Sequence, residues 1–164
     1  GGILVDFNAV KGGIEIIPLD NDWQRAAHVY SDEVLISHRT DAEKGTPKFE
    51  RGKSLSDHQQ EMIYISGTAA IRGEESIVTG DVLVQTEITL ENIQHLIGLE
   101  EGREKLPEHS GKLELLRVYL KHEEDAKIVK EDMDKLCPDV PIVYLYADVC
   151  REELLVEIEG IAYL

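Results

Sequence analysis

Apolar and polar residues alternate over several short stretches of this chain and recur at helical spacing over two longer ones. Residues 3–10 (ILVDFNAV) and 14–19 (IEIIPL) are short apolar runs separated by KGG, which predicts a hairpin with the glycines in its turn. Residues 62–66 predict a strand that breaks at Gly67, and 113–120, 142–149 and 154–164 predict three more. Between 79 and 98, Leu83, Leu90, Ile93 and Ile97 form one apolar stripe at helical spacing. Thr79 or Asp81 caps that helix and Gly98 closes it. Residues 122–136 predict a second amphipathic helix, with Ala126, Val129, Met133 and Leu136 on one face. Its early acids, Glu123, Glu124 and Asp125, suit the positive end of a helix dipole. Residues 20–60 keep no period and predict a long polar connection with one short strand near 33–37. Loops of such length in a compact domain are usually functional or mobile.

The predicted order is β-β-loop-β-α-β-α-β-β, an α+β arrangement. One six-stranded mixed sheet with two helices on one face satisfies it. Two helices cannot wrap six strands, so the bare sheet face is expected to be a subunit interface. In the last strand, Val156, Ile158 and Ile161 are residues that a sheet buries, whereas Glu157 and Glu159 lie two apart and share a face. Those carboxylates must meet solvent, a partner or a cleft.

Charge narrows the function classes. The chain has 33 acidic and 17 basic residues, for a formal charge of -16. That field repels phosphate backbones and no basic stripe offsets it, which argues against nucleic-acid partners. At 164 residues, 1–164 reads as a single domain able to bury a core without disulfides or metal. No apolar run approaches the roughly 20 residues of a membrane span, and the first residues lack the n- and h-regions of a signal peptide. The abrupt GG start is compatible with a cut in a longer chain. Cys137 and Cys150 have no metal-like spacing, so free thiols in a reducing cytoplasm are expected. Cys150 reads as a nucleophile or as a spectator thiol, and the spectator is favoured. The histidines at 28, 38, 58, 95, 109 and 122 match no zinc spacing. No P-loop, serine elbow or EF-hand pattern occurs, and no metal or cofactor is expected.

Several strings carry a family resemblance. Ser66-Gly67, then Asp81, Gln85, Leu90 and Asn92, then 118–121, then 157–162 (EIEGIA) follow one another in the order and spacing of the YjgF/RidA family. The similarity runs from Met62 to the end. A narrower set, PLDNDWQRAAHVY, TPKFERG, SGTAAIRGEESI and ADVCREELLVEIEG, resembles the C-terminal half of the chorismatases. The resemblance implies a chorismate-mutase-like sandwich that assembles as a trimer, with three sheets in an inner barrel and ligand clefts between subunits. It also implies that the chain is either a shortened member or one domain of a longer protein. Ribonuclease (L-PSP) and translation-inhibitor labels, often attached to such sequences, clash with the acidity.

The resemblance points to Glu157 as the catalytic residue. In the deaminases of the family, the matching glutamate positions water at an imine. In chorismatases, it protonates the methylene of an enolpyruvyl ether. Either role needs a carboxylate in a desolvated cleft with a raised pKa. The bland alternative is a glutamate paired across a trimer seam. Imine deaminases of the family also carry an arginine that grips the substrate carboxylate. An ungapped count places that position at Ile142, where no grip exists, so deaminase activity is in doubt. Arg51, Arg72 and Arg151 are the other candidate anion receptors, each weighed against a surface charge partner. Tyr144 and Tyr146 lie on the penultimate strand, and Tyr146, sharing parity with Ile142, is expected to face the cleft. Ala69 and Ala70 leave room for a ring, or merely suit a tight turn. Three readings follow: a chorismatase-like hydrolase of a small carboxylic acid, a metabolite-binding module without turnover, and an imine deaminase with another anion grip.

Overall fold

The computed structural model describes residues 9–31, 34, 45–98 and 112–164. Its large sheet comprises β1 (Glu15–Leu19), β2 (Gly52–Ser56), β3 (Glu61–Thr68), β6 (Lys112–Leu120), β7 (Ile142–Tyr146) and β8 (Val156–Tyr163). The order is β1-β2-β3-β8-β6-β7, a six-stranded mixed sheet. Only β6 and β7 run parallel, because helix α2 (Ala126–Leu136) supplies the crossover between them. A small hairpin, β4 (Ile71–Arg72) and β5 (Glu75–Ser76), stands outside the sheet and precedes helix α1 (Val82–Leu96).

Both helices pack on one face. Ile63 and Ile65 of β3, Leu116, Val118 and Leu120 of β6, and Val156, Ile158 and Ala162 of β8 meet Leu90 and Ile93 of α1 and Val129 and Met133 of α2. Truncating a fully buried member such as Ile158 to alanine costs about 2–5 kcal/mol by the usual cavity argument. Leu136, expected in this stripe, is exposed at the end of α2, and buried Cys137 takes the adjoining core position. Ile161 also departs from expectation. It shares parity with Glu157 and Glu159, opposite Val156 and Ile158, so it lies half-buried on the other sheet face. No described helix covers that second face, which carries Tyr64, Leu115, Ile161 and an Arg117–Glu159–Tyr119 cluster.

The first expected strand, 3–10, lies outside the described residues except for Ala9 and Val10, which are not in a strand. The strand expected at 33–37 also lies outside them except for Val34, which is in a turn. The sixth strand is instead β2, inside the supposed connection, and β7 stops at Tyr146, short of the expected 149.

The polar residues of α1 are ties to the rest of the fold. Asp81 caps the helix, its carboxylate accepting from the Leu83 and Val84 amides. Buried Gln85 donates to the Glu153 carbonyl at 3.0 Å and accepts from the Leu155 amide at 2.8 Å, anchoring the entry to β8. Buried Asn92 donates to the carbonyls of Ala69 and Ile71 at 3.0 and 3.1 Å. These bonds satisfy backbone groups that would otherwise be stranded in the interior.

Candidate active site

A cavity of about 450 Å³ opens where the end of β3, the 149–151 turn and residues 30, 34 and 45–51 converge. Glu157, Arg51, Arg151 and Ala69 line it, together with Tyr30, Phe49, Gly67 and Cys150. Glu157 reaches it because a bulge interrupts the β3–β8 ladder. Ile65 pairs with Gly160 and Thr68 with Ile158, so β3 spends one more residue than β8 over that span. The extra step brings Gly67 under the Glu157 carboxylate, and a Cβ there would collide with it. Burial of the carboxylate, followed by the nearby Glu159 charge, raises the Glu157 pKa above its ordinary value of 4.5. The group is therefore biased toward its neutral, proton-donating form.

The two arginines are held differently from surface arginines. Arg51 is 4% exposed, and its Nη2 donates to the Arg25 carbonyl at 2.6 Å and to the Tyr30 hydroxyl at 2.5 Å. Its guanidinium lies 5.1 Å from the Phe49 ring centroid and 5.7 Å from that of Tyr30. Its Nε is buried without a hydrogen-bond partner among the described residues. Arg151 is 8% exposed and donates through Nη1 to the Glu74 carbonyl at 2.8 Å and to Ser76 Oγ at 3.0 Å. It also lies 5.5 Å from the Tyr30 centroid. Among the described residues, neither arginine has a carboxylate within ion-pair distance; Glu153 is held below its ordinary pKa first by a hydrogen bond from Ser76 and to a smaller degree by the charge of Arg151. Two buried cations without such a counterion among the described residues, beside a carboxyl whose pKa burial raises, are chemically suited to an anionic molecule. Cys150 sits at the exposed mouth. Desolvation of its thiol and the charge of Glu157 raise its pKa, which disfavours a thiolate nucleophile.

Three sequence candidates lie elsewhere. Ile142, Tyr144 and Tyr146 pair in parallel register with Leu116, Val118 and Leu120, all core residues on the helix face. Glu157 pairs with Tyr119, whose β7 neighbour is Leu145, on the opposite face. The parity argument that set Tyr146 and Ile142 at the cleft therefore chose the wrong side of the sheet. Tyr146 is 56% exposed. Burial pushes the Tyr144 pKa up to about 12, and its hydroxyl has no partner among the described residues. Arg72 bonds Glu91 at 2.6 Å and lies over Trp23 at 4.6 Å, outside the cavity. Sequence reasoning missed Tyr30 and Phe49. Both fall in strings quoted for the chorismatase resemblance, AAHVY and KFERG, and that was the available signal.

No protein-family model matches the chain. The fold is shared with the YjgF gene product of E. coli, with a TM-score of 0.52 at 20% identity over 70% of this chain and 87% of that one. A crystal structure of chorismatase superposes with a TM-score of 0.72 at 27% identity, covering 90% of this chain and 43% of that one. In sequence, the chorismatase of Streptomyces rapamycinicus is 32% identical over 169 residues, spanning 98% of this chain and 47% of the relative. A 3-hydroxybenzoate synthase of Streptomyces hygroscopicus is 36% identical over 128 residues, or 70% of this chain and 36% of the relative. The molecule is thus a YjgF-like α+β protein. Within that class it is of the chorismatase type, and it spans about half the length of the curated relatives it matches.

Proposed function

We propose that the cavity binds a small enolpyruvyl carboxylic acid of the chorismate kind and hydrolyses its vinyl ether. The observation that carries this reading is the raised pKa of Glu157 in a cavity shared with two buried arginines. Arg51 and Arg151 hold the substrate carboxylates, and Ala69 leaves space for the ring. Glu157 gives its proton to the methylene carbon, which becomes a methyl group, and the ether carbon becomes an oxocarbenium centre. Water adds to that carbon and its proton passes to the Glu157 carboxylate. The hemiketal then collapses to pyruvate and the dihydroxy-cyclohexadiene acid. The step needs no metal, oxidant or cofactor.

The oligomer follows from the same reading. Glu157 lies where the cavity meets the uncovered sheet face, and a second YjgF-type sheet against that face encloses the mouth. We propose a trimer of this kind as the working assembly, with the cleft at its seam and the protein acting in the cytoplasm. Incubation with chorismate and measurement of pyruvate tests the chemistry, and sedimentation tests the assembly. Pyruvate release above a Glu157→Gln control is expected; no difference from that control removes the hydrolase reading.

A further inference from the structure

The β4–β5 hairpin is not part of the sheet, yet it holds Arg151 directly and reaches Arg51 through the segment that carries Arg25 and Tyr30. Its two-residue turn is Gly73-Glu74, with Gly73 at φ +59°, the glycine-first geometry of a tight hairpin. The Gly73 carbonyl accepts from the Arg25 amide at 2.7 Å, and its amide donates to the Trp23 carbonyl at 2.8 Å, clamping the 23–25 segment. The Glu74 carboxylate then accepts from the Ser31 amide at 2.8 Å, the Ser31 hydroxyl at 2.6 Å and Arg25 Nη1 at 3.1 Å. Those bonds depress its pKa, the Ser31 hydroxyl foremost. Ser31 follows Tyr30, and the Tyr30 hydroxyl and Arg25 carbonyl are the two acceptors of Arg51. The Glu74 main-chain carbonyl is separately an acceptor for Arg151.

We infer that Glu74 is a positioning residue with two arms: its carboxylate sets Arg51 through Ser31, Tyr30 and Arg25, and its backbone carbonyl sets Arg151. The inference rests on the reading of the cavity as an anion site. It separates the arms, because a side-chain substitution removes the first and leaves the second. Glu74→Ala therefore loosens Arg51 more than Arg151, which keeps its bonds to the Glu74 carbonyl and Ser76 Oγ. Substrate binding weakens while proton transfer from Glu157 is untouched.

The test pairs kinetics with nitrogen-15 NMR of the arginine Nε–Hε groups, assigned with Arg51→Lys and Arg151→Lys. In Glu74→Ala the Arg51 signal broadens or shifts more than the Arg151 signal. KM for chorismate rises on the order of tenfold, the scale of one lost charge-assisted hydrogen bond, with kcat unchanged. Glu74→Gln, which keeps an acceptor for Ser31, restores most of the KM. Ser31→Ala reproduces the selective shift should Glu74→Ala not fold. An unmoved Arg51 signal with unchanged KM overturns the inference, as does equal movement of both arginines. Wild-type protein that releases no pyruvate removes the chorismate reading only; the NMR arm then decides the role of Glu74 by itself.

Discussion

Two arginine–aromatic clusters in this molecule use the same contact for opposite ends. On the surface, Arg72 lies over Trp23 and closes its charge on Glu91 at 2.6 Å. In the cavity, Arg51 and Arg151 lie against Tyr30, and Arg51 against Phe49, with neutral oxygens as acceptors. The chain holds 33 acids against 17 bases, so acidic partners abound, and among the described residues the cavity pair nevertheless lacks one at contact distance. An arginine paired with a carboxylate has its charge met within the fold; under the proposed function, arginines held by carbonyls and a phenol keep theirs for a substrate carboxylate.

That contrast can be broken most severely at the acid that shares the cavity. Glu157→Gln keeps the shape and removes the proton donor, and turnover of chorismate is expected to fall by about 10²- to 10⁴-fold. Arg51→Ala comes next: it removes one of the two open cations, and KM is expected to rise about 10- to 100-fold. A thermal-unfolding series against pH probes the cavity from the side of stability. A carboxyl whose folded pKa is raised binds its proton more tightly when folded. Its contribution is therefore present below the ordinary value of 4.5 and lost as pH climbs through the raised folded value. Wild type should lose stability relative to Glu157→Gln across that window and match it at lower pH. Activity should fall over the same rise as the donor ionises. The smallest effect belongs to Arg72→Ala, which should leave KM unchanged and shift stability by no more than about 1 kcal/mol. A large KM change there would erase the distinction between the clusters.

Helix α1 was legible because period, cap and stop coincide, with Asp81 capping it and Gly98, at φ +72°, following its end; α2, without a side-chain cap, was legible from its period. Strand β2 was hidden because Gly52, Lys53, Ser54, Leu55 and Ser56 have little strand propensity, and its place is set by β1 and β3 on either side. The tyrosines of β7 were misplaced for a different reason. Parity groups Ile142, Tyr144 and Tyr146 correctly but cannot say which face they take; the pairing with β6 decides that. Glu157 stood out because a strand period isolates it from Val156 and Ile158. Tyr30 and Phe49 did not, since they come from a stretch without period whose path is fixed by the hairpin and by Arg51 itself.

The grip on Arg51 and Arg151 has a consequence for how this cavity tolerates change. Main-chain oxygens of residues 25 and 74 hold the two guanidinium groups, and a carbonyl is the same whichever side chain hangs beside it. Part of the orientation of the two arginines is thus written into the path of the backbone, beside the side-chain acceptors Tyr30 and Ser76. Grafting that path onto a related scaffold, with the two arginines and those two acceptors, would carry the proposed anion site along; replacing either arginine by lysine would not, because a single ammonium cannot reproduce the fork those carbonyls expect.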